Sequence, residues 1–212
     1  MENYKVIDIN TWERKQHFEL FRQFQQPRYD ISMELDITNF YTCIKEQKLP
    51  FTFAIMYAIA SCANEITEFR YRFLEDQVVL FQTPKISFTY LNKETNLLKN
   101  VVVEMKDNIE DFVMTAKEIA QNQKEYFTGP MGNDVYQFSS IPWIHFTHIS
   151  HTESGKKNNA TPMFDFGRYL WKEGRLMLPF AIQAHHSFVD GIHMGKLVES
   201  LQEYLNHYEW MG

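Results

Sequence analysis

Apolar residues along this chain alternate with polar ones in some stretches and recur every three or four positions in others. The two periods separate strands from helices. Residues 4–9 alternate like a short strand. Thr11 can cap a helix over residues 12–25, with apolar positions at Phe18, Leu20, Phe21 and Phe24. Residues 29–37 read as a half-buried strand and Thr38–Glu46 as a helix. Pro50 can open a further helix reaching residue 65, striped by Phe51, Ile55, Met56, Ile59 and Ala60. Short strands are expected over 77–81, 86–91 and 100–105, then a helix over 110–126 and a turn-rich loop at Gly129-Pro130-Met131-Gly132. Strands follow over 136–140, 143–150, 163–171 and 175–185. The last two flank Lys172-Glu173-Gly174 as a hairpin, and a final helix runs over 192–208.

This order lacks strict βαβ alternation, internal repeats and low-complexity linkers. It predicts an α+β fold, one two-layer domain over 1–212, with helices packed on one side of a mixed sheet. Of the 212 residues, 44 % are hydrophobic and 16 % aromatic, enough for a sizeable core and unlike a disordered chain. A net charge of -6 and the lack of a basic run argue against nucleic acid or a membrane surface as partner. Cys43 and Cys62 sit in apolar helical stretches and read as reduced core thiols. The first residues lack a signal-peptide pattern, and the longest apolar run, 51–63, is too short to cross a bilayer. A cytoplasmic protein is expected.

The segment richest in chemistry is Gln183-Ala184-His185-His186-Ser187-Phe188-Val189-Asp190-Gly191-Ile192-His193. It follows an apolar strand and precedes a helix, which places His186 at a strand end, with Gly191 allowing a sharp turn. An imidazole there can take a proton near neutral pH and return it. Asp190 can orient the turn. His185 and His193, each taken alone, read as satisfied core histidines. Metal binding is disfavoured, because adjacent histidines point to opposite sides of a strand and no second ligand pair has zinc-like spacing. His145, His148 and His151 recur every three residues, which does not suit one strand face, and they read as pocket or surface residues.

The His186 segment resembles the His-His-x-x-x-Asp-Gly signature of chloramphenicol acetyltransferases, shared with the acyltransferase cores of 2-oxo-acid dehydrogenase complexes. Trp12-Glu13-Arg14-Lys15-Gln16-His17-Phe18 and Ser139-Ser140-Ile141-Pro142-Trp143 are similar to two further motifs of the chloramphenicol enzymes. The resemblance implies a chloramphenicol-acetyltransferase-like fold and acetyl-CoA-dependent O-acetyl transfer without a metal, with chloramphenicol as the leading named acceptor. It implies His186 as general base, Ser139 as donor to the oxyanion, and an Arg14–Asp190 salt bridge holding the base loop. Arg168 and Tyr169 would line the coenzyme A channel, and Phe21, Tyr29, Leu98, Tyr126, His151 and Asp165 the acceptor pocket. A homotrimer with active sites between subunits is implied as well.

Departures from the pattern concern the acceptor. Asp165 stands where the family has a water-holding Thr, and its charge disfavours an oxyanion unless it is protonated, turned away or paired. Leu98 replaces a pocket aromatic, His151 a leucine and Pro27 a cysteine. A more polar acceptor, with chloramphenicol accepted weakly, is therefore expected. Two rival readings are a lipoamide-dependent acyltransferase core and a non-catalytic protein that sequesters a ligand in the same pocket.

Overall fold

Phe138, Phe164, Phe166, Phe180 and Ile182 lie on neighbouring strands, and all are buried in one apolar cluster with the helices. Their alternating neighbours, Ser139, Asp165, Ala181 and Gln183, face the other side. The computed structural model describes residues 3–128, 132–152 and 158–209, so all of the expected loop at 129–132 but Gly132 lies outside the described residues. In chain order the elements are β1 (Tyr4–Val6), α1 (Lys15–Phe21), β2 (Arg28–Asp36), α2 (Thr38–Glu46), α3 (Phe51–Asn64), β3 (Tyr71–Leu74), β4 (Gln77–Phe81), β5 (Lys85–Asn92), β6 (Leu97–Val103), α4 (Ile109–Asn122), β7 (Val135–Ile141), β8 (Met163–Gly167), β9 (Leu170–Lys172), β10 (Arg175–His185) and α5 (Gly191–His207).

The main sheet runs β2-β10-β8-β7-β5-β6, with β9 on one end of β10. Pairings β5–β7 and β7–β8 are parallel and the others antiparallel, so the sheet is mixed. Helix α3 is apolar nearly all round and supplies the centre of the core. Asn108 caps α4 by accepting from the Asp111 amide at 2.8 Å. No helix among the described residues is long and apolar enough to cross a membrane. Both cysteines are free.

A smaller sheet, β1-β4-β3, is tied to the large one by Arg72. This guanidinium is fully buried and donates to the carbonyls of Phe69, Tyr71 and Val135 at 2.7–2.8 Å. Strand β3 is absent from the pattern reading, because a charged residue inside Tyr-Arg-Phe-Leu hides the strand.

Three expectations are corrected. The first helix covers only Lys15–Phe21; Trp12 lies outside it, its indole N–H donating to the Tyr71 hydroxyl at 3.3 Å. The helix expected over 110–126 ends at Asn122, where Gln123 turns extended and its side-chain Nε2 donates to the carbonyls of Asn100 and Glu125. Residues 143–150 form no strand. They run as an irregular strap whose Ile144 carbonyl accepts from the Arg168 amide at 2.8 Å. The same bond interrupts the strand expected over 163–171, splitting it into β8 and β9. Gly167 makes room for the crossing: a Cβ there would meet the Ile144 carbonyl oxygen at 2.5 Å and Pro179 Cγ at 2.9 Å.

Candidate active site

His186 follows the last residue of β10, and its amide donates to the Pro27 carbonyl at 2.8 Å, extending the β2–β10 pairing by one step. Its ring is one-third exposed. Phe21 stacks on it at a 3.8 Å centroid distance and 12°, and Tyr29 lies at 4.6 Å and 30°. Nδ1 is buried and 3.2 Å from Asp190 Oδ1, without the alignment of a hydrogen bond. The accessible ring nitrogen is therefore Nε2. Two aromatic faces and a carboxylate behind the ring fix the imidazole and leave that nitrogen open to proton transfer.

Asp190 sits at the N-cap of α5, and His193 Nδ1 accepts its backbone N–H at 2.9 Å. Burial pushes the Asp190 carboxyl up, but the hydrogen bonds and charge of Arg14, with His193 and His186, outweigh it and hold the group below the usual carboxylate range. Tyr29 donates its hydroxyl to the Val189 carbonyl at 3.2 Å. Burial, then the Asp190 charge, pushes that phenol up to about 12. His185 is a satisfied core histidine: it is buried edge-on to Phe73, and Nδ1 accepts from the Ser187 amide. His193 is likewise buried, with Nε2 3.6 Å from Glu68.

Ser139 and Asp165 form a second group. They are register partners on parallel strands β7 and β8, and Asp165 pairs with Ala181 on β10. The Asp165 carboxylate is sealed from solvent, and its Oδ1 meets His151 Nε2 at 2.7 Å. Its other oxygen is buried without a hydrogen-bond partner. Burial raises the Asp165 pKa against the opposing pull of His151, while the Asp165 hydrogen bond raises that of His151. Burial works against the charge on Asp165, and the hydrogen bond works for the charge on His151. The carboxylate expected to trouble an oxyanion is thus paired.

His151 directly follows the strap, and two further histidines within it meet acids. His145 bridges Glu34 at 2.9 Å and the Arg168 carbonyl at 2.8 Å, and His148 lies 3.4 Å from Asp30. Three imidazole–carboxylate contacts therefore pin the strap over the helix-free face of the sheet. The sequence spacing gave no sign of these partners, which lie on β2 and β8. Arg28 also escaped the sequence reading; it lies within electrostatic reach of both His151 and Asp165.

The remaining candidates are elsewhere. Leu98 is half exposed on the edge strand β6, and Tyr126 joins that edge through the Asn100 amide and the Thr95 hydroxyl. Tyr169 packs edge-on to Tyr41 and Phe51 and shares a 3.0 Å hydrogen bond with the Tyr41 hydroxyl. Arg168 beside it is exposed. Within one protomer, then, Phe21, Tyr29, Arg14 and Asp190 gather at His186, while Ser139, Asp165 and His151 gather on the open face. Register separates the two groups: Ala181, the partner of Asp165, is five residues before His186, about 16 Å along an extended strand.

The chain was compared with known families and structures. The family model for chloramphenicol acetyltransferase matches residues 2–202. A chloramphenicol acetyltransferase from Bacillus pumilus is 32 % identical over 214 aligned positions, covering 99 % of this chain and 97 % of the relative. A solved chloramphenicol acetyltransferase superposes with a TM-score of 0.87 at 29 % identity, over 95 % of this chain and 99 % of the other. A probable dihydrolipoamide acetyltransferase from Listeria monocytogenes shares the fold at a TM-score of 0.64 and 16 % identity, over 95 % of this chain and 94 % of the other. With its mixed sheet, its strand-end histidine and a match over nearly its full length, the chain belongs to the chloramphenicol acetyltransferase family and is an acyltransferase of that kind.

Proposed function

We propose that the protein transfers an acetyl group from acetyl-CoA to a hydroxyl group of a small acceptor, with chloramphenicol the leading named candidate. The observation that carries this reading is the His186 imidazole, clamped by Phe21, Tyr29 and Asp190 with Nε2 accessible. Nε2 takes the proton of the acceptor hydroxyl as its oxygen attacks the thioester carbonyl. A C–O bond forms, the C–S bond breaks, and the same nitrogen returns the proton to the departing thiolate. Ser139 donates to the oxyanion that exists between these events. Cys62 is no nucleophile here: it is buried, and burial raises its thiol to about 11.

The distance between His186 and Ser139 in one protomer supports a site completed by a second copy, as in a homotrimer working in the cytoplasm. Trp143, Ile144, Trp171 and Phe127 are all more than half exposed, which is apolar surface suited to such contacts. The exposed Arg168 beside the Tyr41, Phe51 and Tyr169 rings suits a phosphate and an adenine of the coenzyme.

The test is thiol release from acetyl-CoA with a panel of hydroxylated acceptors that includes chloramphenicol, run on wild type and His186→Ala. Acceptor-dependent release that falls by roughly 10²–10⁴-fold in the variant is expected. Ligand binding without any acetyl transfer in the wild type would instead favour sequestration.

A further inference from the structure

An imidazole–carboxylate pair at the centre of the open face needs a reason. Sealing the Asp165 carboxylate from water is unfavourable, and a single partner, His151, offsets it while the second oxygen has no donor. A small neutral side chain would close the sheet face at lower cost. The pair stands beside Ser139 in register, and the His151 ring is about one-quarter exposed where the carboxylate is not. The imidazole is thus the accessible face of the pair. Nε2 is committed to Asp165, which leaves Nδ1 for a ligand. In the protonated ring that nitrogen is a charge-assisted donor.

We propose that His151, oriented by Asp165, selects the acceptor, favouring hydroxyl compounds that carry an anionic oxygen group near the hydroxyl. This rests on the acetyl-transfer reading above. Arg28 adds a second cation in reach of both members of the pair. Asp30, on the same face, lies 3.4 Å from His148 and within electrostatic reach of Asp165. Arg28 and Asp30 offset each other at the pair, so the attraction for an anion comes from the His151 Nδ1–H donor itself and not from a net charge. An apolar acceptor pressed against this face leaves the His151 Nδ1–H without an acceptor, whereas a carboxylate or phosphate oxygen takes that hydrogen bond. His151 contacts the acceptor in this account, and Asp165 acts as a positioning residue through it.

The experiment uses two matched pairs of acceptors: mandelate against its methyl ester, and glycerol 3-phosphate against glycerol. Acetyl transfer from acetyl-CoA is followed for wild type, His151→Leu, His151→Gln and Asp165→Asn, each checked for an unchanged unfolding midpoint. The wild type is expected to prefer the anion in at least one pair by roughly tenfold or more in kcat/KM, the worth of one hydrogen bond to a charged group. The pair that shows the preference tells carboxylate from phosphate. His151→Leu should abolish the preference through KM for the anion, and Asp165→Asn should reduce it, which a purely structural role would not do. Equal rates in both pairs, or a preference that survives His151→Leu and His151→Gln, overturns the proposal. If no acceptor is acetylated, the transfer reading fails on its own. Calorimetric binding of mandelate and glycerol 3-phosphate then decides this one: tighter binding to wild type than to His151→Leu supports it, and equal or undetectable binding overturns it.

Discussion

Arg14 grips Asp190 through two hydrogen bonds of 2.7 and 3.0 Å, joining residues 176 positions apart in the chain. The grip ties the start of α1 to the cap of α5 and sets the carboxylate behind the His186 ring. Because the folded-state pKa of Asp190 is depressed, its stabilisation is present above the unfolded value, about 3.9, and is lost as pH falls through the folded one. Asp190→Asn should lower the unfolding free energy by about 2 kcal/mol at neutral pH, less than a fully sealed pair because water reaches both groups. Urea titrations of both proteins should show that gap constant above about pH 5 and closing below about pH 4.

If each site draws His186 from one copy and Ser139 from another, two dead variants can repair each other. His186→Ala and Ser139→Ala proteins, mixed after dissociation and reassembled, should regain about a quarter of wild-type activity, since random mixing gives that share of sites both intact groups. Recovery no greater than the sum of the two alone would place the whole site within one protomer.

The His151–Asp165 pair has the opposite acid–base sign from Asp190. With the His151 pKa raised on folding, its contribution is full below the unfolded value of about 6.5 and fades as pH rises through the folded one. An NMR titration should find His151 holding its proton above the ordinary imidazole range in wild type and releasing it at lower pH in Asp165→Asn.

Gly167→Ala should destabilise the protein by about 1–3 kcal/mol, because the added methyl collides with the Ile144 carbonyl rather than a pliable side chain. Thermal unfolding measures the loss. A variant as stable as wild type would show that the strap can lift without cost.

Arg72→Met should cost about 3 kcal/mol or more, since it strips donors from three carbonyls in the interior. Denaturant unfolding is the measure.

Long periodic elements were legible in the sequence. The helix at Thr38–Glu46 and the strand at Gln77–Phe81 have the predicted ends, since local pattern and burial agree there. The strand-end position of His186 was legible too, because an unusual cluster of polar residues follows an apolar strand. The strap was not: Trp143, Ile144 and Phe146 give strand-like apolarity, but the course of these residues is set by Gly167 and by acids on other strands. Nor was the partner of Asp165 readable, as His151 meets it through irregular chain that carries no period. Whether the Asp165 charge is paired could be asked from its identity alone, and only the 2.7 Å contact supplies an answer.

The choice of carbonyls, not acids, as partners for Arg72 has a consequence for how the molecule fails. Amide oxygens do not titrate, so the seam between the two sheets is indifferent to acid. The His145 end of the strap rests instead on Glu34, whose carboxyl is held below its usual range by the Lys172 hydrogen bond first and by His145 as well. Acidification through the Glu34 carboxyl should therefore loosen the His145 end of the strap while the seam still holds, giving a partly opened species before general collapse.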